Sequence, residues 1–119
     1  MENNIKYKQY VILPKRPHMS VGKRCSQVAH ATLCGLENQS DKKLQDKWIN
    51  AGMCVIVLQC KNEIELLGID KYLEQWKVPH HLYIDEGMTE VNMGTPTALA
   101  TGVLTEEQFW MLGTMRPFK

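Results

Sequence analysis

Lys23, Gln27 and His30 stand at i, i+4 and i+7 in the stretch GKRCSQVAHA, residues 22–31. On a helix this spacing places a cation, an amide and an imidazole on one face. Near a helix start, unpaired amides and the dipole already favour negative charge, so such a line suits a polyanion or a polar substrate. An ordinary solvated face with a hydrogen-bonded histidine is the competing reading. A second group surrounds Asp85: the run Asp85-Glu86-Gly87-Met88-Thr89 follows one apolar segment, and Gly94-Thr95-Pro96-Thr97 precedes another. A carboxylate at the end of a strand is where α/β sheets present catalytic groups to ligands. Gly87 and Gly94 permit tight turns or close backbone approach, and the hydroxyls of Thr89 and Thr97 can orient a water or a substrate oxygen. A loop in which Asp85 merely caps turn amides is the alternative. His80 and His81 form an adjacent pair at a strand start, point to opposite sides and so make a poor bidentate metal site.

The elements that must position these groups follow from periodicity and punctuation. Tyr7 to Leu13 reads as a strand, ended by Pro14 and Pro17, and Ser20 as the N-cap of a helix running to about Glu37. Val21, Cys25, Val28 and Thr32 make the more apolar stripe of that helix, expected to face the sheet. Asp41 to Ile49 predicts a second helix, stopped at Asn50-Ala51-Gly52, and the continuously apolar Met53 to Cys60 a central strand covered on both faces. Glu63 to Trp76 predicts a third helix, with Ile64, Leu67, Tyr72 and Leu73 available for packing. His81 to Ile84 and Ala98 to Val103 predict two further strands, and Thr105 caps a last helix. The order β-α-α-β-α-β-β-α favours an α/β fold, a three-layer α/β/α sandwich around a mixed sheet of about four strands, over an α+β sandwich with one open sheet face.

A length of 119 residues fits one domain, residues 1–119, and is ample for a core without disulfide or metal staples. Cys25, Cys34, Cys54 and Cys60 show no metal-ligand spacing, so reduced and mostly buried thiols of a cytoplasmic protein are expected. The N-terminal residues lack the pattern of a secretory signal, and no apolar run approaches the ~18 residues of a membrane span. No G-x-G-x-x-G and no P-loop is present, which weighs against a nucleotide cofactor. The formal charge of +1 hides an asymmetry, because residues 1–50 carry nine Lys/Arg against four acids and residues 51–119 five against nine. Such a split is compatible with a polyanionic partner, with electrostatic self-association and with scattered solvated charges.

Taken together, G-K-x-x-x-Q-x-x-H-A and, some fifty residues later, D-x-G-x-T-x-x-x-x-G-x-x-T resemble the type II peptidyl-tRNA hydrolase family over nearly the whole domain. The resemblance implies a metal-free, cofactor-free cytoplasmic enzyme that cleaves the ester between a peptide and the 3′ ribose of tRNA. It also implies a homodimer with no membrane partner. By position, Lys23, Asp85, Thr89 and Thr97 match the family's active-site set, Gln27 and His30 the neighbouring helical positions, and Gly22, Gly87 and Gly94 the backbone-shaping ones.

The chain departs from the family pattern at Val21, where another lysine is common, at Met88 in place of arginine, Glu90 in place of glutamine and Met93 in place of proline. The first three changes remove positive or add negative charge beside the implied tRNA path, which should weaken binding and flatten its salt dependence. Lys15, Arg16 and Arg24 can compensate, and Lys42, Lys43 and Lys47 can extend the track. The departures keep two other readings open: a non-catalytic binding or regulatory module on the same fold, and an enzyme acting on a smaller acyl or amide substrate.

Overall fold

The computed structural model describes residues 5–86, 91–92 and 94–119. Along them run β1 (Tyr7–Pro14), α1 (Val21–Glu37), α2 (Lys42–Asn50), β2 (Val55–Cys60), α3 (Glu63–Gln75), β3 (His80–Ile84), β4 (Pro96–Thr105) and a closing 3₁₀ helix, Glu106–Met111. Each α-helix starts on a side-chain cap: Ser20 accepts from the amide of Lys23, Asp41 from Leu44 and Asn62 from Glu65. The element order matches the sequence expectation, except that the last helix is one short 3₁₀ segment.

Among the described residues four strands form a mixed sheet in the order β2-β1-β4-β3, with β1 parallel to β2 and β4 antiparallel to both β1 and β3. β1, β2 and β3 therefore run the same way and end at the same edge. Side chains alternate across β1. Tyr10 and Ile12 join Leu58, Leu66 and Leu73 on the α3 side, while Val11 and Leu13 join Ala31, Ala98 and Ala100 under α1. Helices thus cover both faces, the three-layer α/β arrangement. Each fully buried Leu or Ile of this core contributes roughly 1.5–3 kcal/mol relative to an exposed one.

Three local expectations are corrected. The apolar run of β2 marks an edge strand rather than a central one, with Val55 39% exposed, and β1 and β4 occupy the middle. On α3, Ile64 and Leu67 face outward, while Leu66 and Leu73 are buried and Ile69 and Tyr72 pack beside them. On α1 the buried line is Gln27, Ala31 and Gly35, whereas Val21 and Cys25 are exposed. The small residues at four-residue spacing let this line come closer to the sheet than the bulkier stripe could.

What α1 approaches is a β-bulge. Gln9 pairs with Val103 and Val11 with Ala100, so β4 carries one extra residue at Thr101-Gly102. The extra residue reverses the alternation of β4, which is why Leu99 and Leu104, of opposite parity, both reach the α3 side. The displaced backbone groups find other partners: the Tyr10 amide donates to Thr101 Oγ1 at 3.0 Å, and the Gly102 amide to the Pro79 carbonyl at 2.8 Å. Gln9 Nε2 donates to the carbonyls of Thr32 and Thr101, and the Gln39 amide both donates to and accepts from the backbone of Val103.

The outer edge of β2 is paired by the segment after the 3₁₀ helix. Gln59 N donates to the Arg116 carbonyl and Phe118 N to the Val57 carbonyl, both at 2.9 Å. Two cations stand over the Phe118 ring, Lys15 Nζ at 5.1 Å and the Arg24 guanidinium at 4.7 Å from its centroid.

All four cysteines are free thiols, but only Cys60 is buried and Cys25 is exposed, which corrects the expectation of mostly buried thiols. Burial, reinforced by the charge of Glu65, pushes the Cys60 thiol up to about 12. With a disulfide reagent at about pH 8, Cys25 is expected to be labelled first and Cys60 last. Because the unfolded thiol ionises near 9 and the folded one near about 12, the stability held by Cys60 is fully present below 9 and is lost as pH rises through that window. Equal labelling rates of the two thiols would contradict the burial argument.

Candidate active site

The carboxyl ends of β1, β2 and β3 and the amino ends of α1 and α3 meet at one edge of the sheet, where open α/β sheets hold their ligands. Lys23 lies in the first turn of α1 and Gln27 one turn further, on the line directed into the sheet. Asp85 follows β3 directly. Thr97 is the second residue of β4, and the pairing of Ile84 with Pro96 brings the two side by side. Asp85 is tied to the approach to β4 by its N donating to the Thr95 carbonyl and by Gly94 N donating to the Asp85 carbonyl, each at 2.9 Å. Gly94 has φ +87°, the left-handed region that requires glycine here.

These elements bring four predicted residues into one network. Lys23 Nζ is 2.6 Å from Asp85 Oδ1, with the two side chains only 8% and 6% exposed. Gln27 Nε2 donates to Asp85 Oδ1 at 3.3 Å and to Thr97 Oγ1 at 2.5 Å, so one amide holds both the carboxylate and the hydroxyl. Having accepted from Gln27, the Thr97 hydroxyl retains its own O–H to donate. A buried ion pair is an expensive way to hold a fold, since desolvation offsets most of its Coulomb energy. At a ligand-binding edge it does something else: it keeps a carboxylate and an ammonium in fixed positions with little reorganisation left for a reaction to require.

The remaining predicted residues are distributed around this core. His30 is exposed and outside the network, its ring stacked on Tyr83 with centroids 5.0 Å apart and planes 10° from parallel. Gly22 has open space where a Cβ would stand, so nothing within 4 Å calls for glycine there. Lys15 Nζ donates to the Lys119 carbonyl at 3.0 Å, and Arg24 rests on Phe118. Lys15 and Arg16 line a groove of about 620 Å³ together with Lys61, Asn62 and Arg116. Thr89 and Gly87, and the departures Met88, Glu90 and Met93, lie outside the described residues. Sequence reasoning missed Tyr83, Lys61 and Arg116. Tyr83 was within reach of it, because a residue two before Asp85 shares its face of β3.

Comparison with known proteins identifies the family. The family described as "Peptidyl-tRNA hydrolase PTH2" matches residues 7–111. A peptidyl-tRNA hydrolase of Thermococcus onnurineus is 36% identical over 104 residues, covering 86% of this chain and 88% of that protein. One from Methanopyrus kandleri is 34% identical over 103 residues, covering 86% and 89%. The match runs from the first residue of β1 to the last of the 3₁₀ helix and so contains every element that builds the site: the chain belongs to the PTH2 family of peptidyl-tRNA hydrolases.

Proposed function

We propose that this protein hydrolyses the ester joining a peptide's terminal carboxyl to the 3′ ribose oxygen of tRNA, releasing peptide and free tRNA. The observation that carries the reading is the buried Lys23–Asp85 pair with Gln27 bridging to Thr97, in a chain of this family. In this reaction the Asp85 carboxylate orients a water and takes its proton as the oxygen attacks the ester carbonyl. Lys23 and the O–H of Thr97 offset the negative charge that develops on the carbonyl oxygen. The C–O3′ bond then breaks and the proton passes to the departing ribose oxygen. Thr89 belongs to the same set by its match to the family motif.

Lys23, buried against Asp85, is committed to the reaction, so the tRNA phosphates fall to exposed cations. Lys15 and Arg16 in the groove supply them, with the half-buried Arg24 on Phe118 as a further cation, and the exposed His30 stacked on the half-buried Tyr83 offers a ring face. The family resemblance further carries a cytoplasmic location and a homodimer. The apolar groove of Leu13, Val21, Val28 and Val57 supports the latter, and sedimentation of the purified protein decides it.

The test uses tRNA carrying an N-blocked aminoacyl group. Release of free tRNA is expected, surviving EDTA and falling in Asp85→Asn and Lys23→Ala. A folded protein that binds this substrate without turning it over would exchange the reading for the non-catalytic module. Removing two of the groove's cations, Lys15→Ala with Arg16→Ala, is expected to weaken tRNA binding at low salt. It should also flatten the slope of log K against log salt by about 2, since each phosphate contact contributes about 0.9. An unchanged slope would place the phosphate path elsewhere.

A further inference from the structure

A second cluster of ionisable groups sits at the other end of β3, roughly 16 Å from Asp85 at ~3.3 Å per residue. Asp70 and Glu74, one turn apart on α3, project on the same side, and His80, the first residue of β3, inserts its ring against them. The His80 side chain is 7% exposed. Its Nδ1 is 2.7 Å from the Val78 carbonyl, which can only accept, so Nδ1 carries a hydrogen. Nε2 faces Asp70 Oδ1 at 2.8 Å and Glu74 Oε2 at 3.6 Å. Two carboxylates from one helix converge on one ring nitrogen from a neighbouring strand.

The mount is rigid. Asn38 Nδ2 donates to the His80 carbonyl at 2.9 Å, and the preceding Pro79 carbonyl accepts from Gly102 in the bulge at 2.8 Å. A backbone carbonyl on the far ring nitrogen is also how metal-binding histidines have their tautomer and ring plane fixed. One ligand atom from each residue lies within 4.8 Å of the others, the span that donors about 2.0–2.2 Å from a shared ion can reach with small side-chain movement. A proton on Nε2 serves one carboxylate well and leaves the second at 3.6 Å, whereas a divalent cation is shared by both. It also matches the charge of two carboxylates and a neutral imidazole. Lys77, in the same hollow, is the positive neighbour with which the ion competes.

We propose that Asp70, Glu74 and His80 form a binding site for one divalent first-row metal ion of the zinc type, tying α3 to the start of β3. Glu74, its side chain 77% exposed, leaves the solvent side of the ion open for water as the remaining ligand. Imidazole and carboxylate together suit zinc-like ions, while a hard ion such as magnesium prefers oxygen ligands alone. The role is structural and separate from ester hydrolysis, so the two readings stand or fall independently.

The experiment starts from EDTA-stripped, dialysed full-length protein and follows zinc uptake by equilibrium dialysis together with thermal melting. One equivalent of zinc and a rise in Tm of several degrees are expected, with no rise for the same concentration of magnesium. Glu74→Gln, at an exposed position that should leave the fold intact, is expected to weaken zinc by about tenfold or more, as is Asp70→Asn. His80→Asn should abolish uptake; if that variant does not fold, Glu74→Gln and Asp70→Asn carry the test. A Cys25→Ser control is expected to keep the equivalent, and cobalt in place of zinc to show no thiolate charge-transfer band. Absence of zinc uptake, uptake unchanged in both carboxylate variants, or uptake lost in Cys25→Ser would each overturn the proposal.

Discussion

Asp85→Asn is expected to slow release of free tRNA by about 10²–10⁴-fold, the usual contribution of a positioned acid or base, while leaving tRNA affinity close to that of the unaltered protein. The asparagine has the same shape and still offers Gln27 an oxygen, so the bridge to Thr97 is kept. What disappears is the charge. Water can no longer give up its proton to the side chain, and the Lys23 ammonium loses the partner 2.6 Å away. Removing one member of a buried pair costs about 3–5 kcal/mol, but Lys23 sits in the first turn of α1 and its stem can carry the ammonium out to water, so about 2 kcal/mol is the expected loss of stability. The two effects are separable: turnover measured well below the melting transition reports the chemistry, and denaturant titration reports the unpaired cation. Turnover equal to that of the unaltered protein would remove Asp85 from the reaction.

Gly35→Ala is expected to cost about 3 kcal/mol, at the high end for overpacking by a single methyl group. An added Cβ would stand 2.6 Å from the Thr101 carbonyl oxygen and 3.0 Å from that of Ala100. Both obstacles are backbone atoms of a strand bonded on each side, so no rotamer change relieves the contact. The bulge is equally confined, because Gln9 and Tyr10 bond to Thr101, Gly102 bonds to Pro79 and Gln39 holds the adjoining Val103. The helix must therefore lift. Gln27 lies two turns earlier on the same line, and lifting it loosens its bonds to Asp85 and Thr97, so activity should fall with stability although Gly35 is remote from the reacting groups. Chemical denaturation and the tRNA-release assay on the same preparation check both parts. A stability within a few tenths of a kcal/mol of the parent would mean that the helix has room to spare.

The element order, the cap Ser20 and the cover of helices on both faces were legible in the sequence because they rest on local chemistry: a hydroxyl cap, turn residues and the two periods of hydrophobicity. The buried face of α1 was not. Its inner line begins with the polar Gln27 and continues through Ala31 and Gly35, so an apolarity criterion selected Val21 and Cys25 instead, and these are solvated. The apolar run of β2 was ambiguous for a different reason: it takes β1 on one side and a short segment around Pro117 on the other, and a strand paired this way reads like a central one. At the site, the meeting of Lys23 with Asp85 across 62 positions is invisible to any local period. The family resemblance pointed to both residues, and the packing of α1 against the β3–β4 end explains why they meet.

The sheet is assembled out of chain order. β1 is its first strand and β4 its last, yet these two are the central neighbours, and the bond from Tyr10 to Thr101 closes a span of 91 positions. Until β4 arrives, β1 and β2 can form only a two-stranded ribbon with both edges bare, and β3 has nothing to pair with. A nascent chain ending before Pro96 therefore has three helices and only that ribbon for them to cover. The hydrophobic core, the bulge that seats α1 and the alignment of Thr97 with Asp85 all come into being in one late, long-range step, which places this fold among those whose assembly is governed by non-local closure.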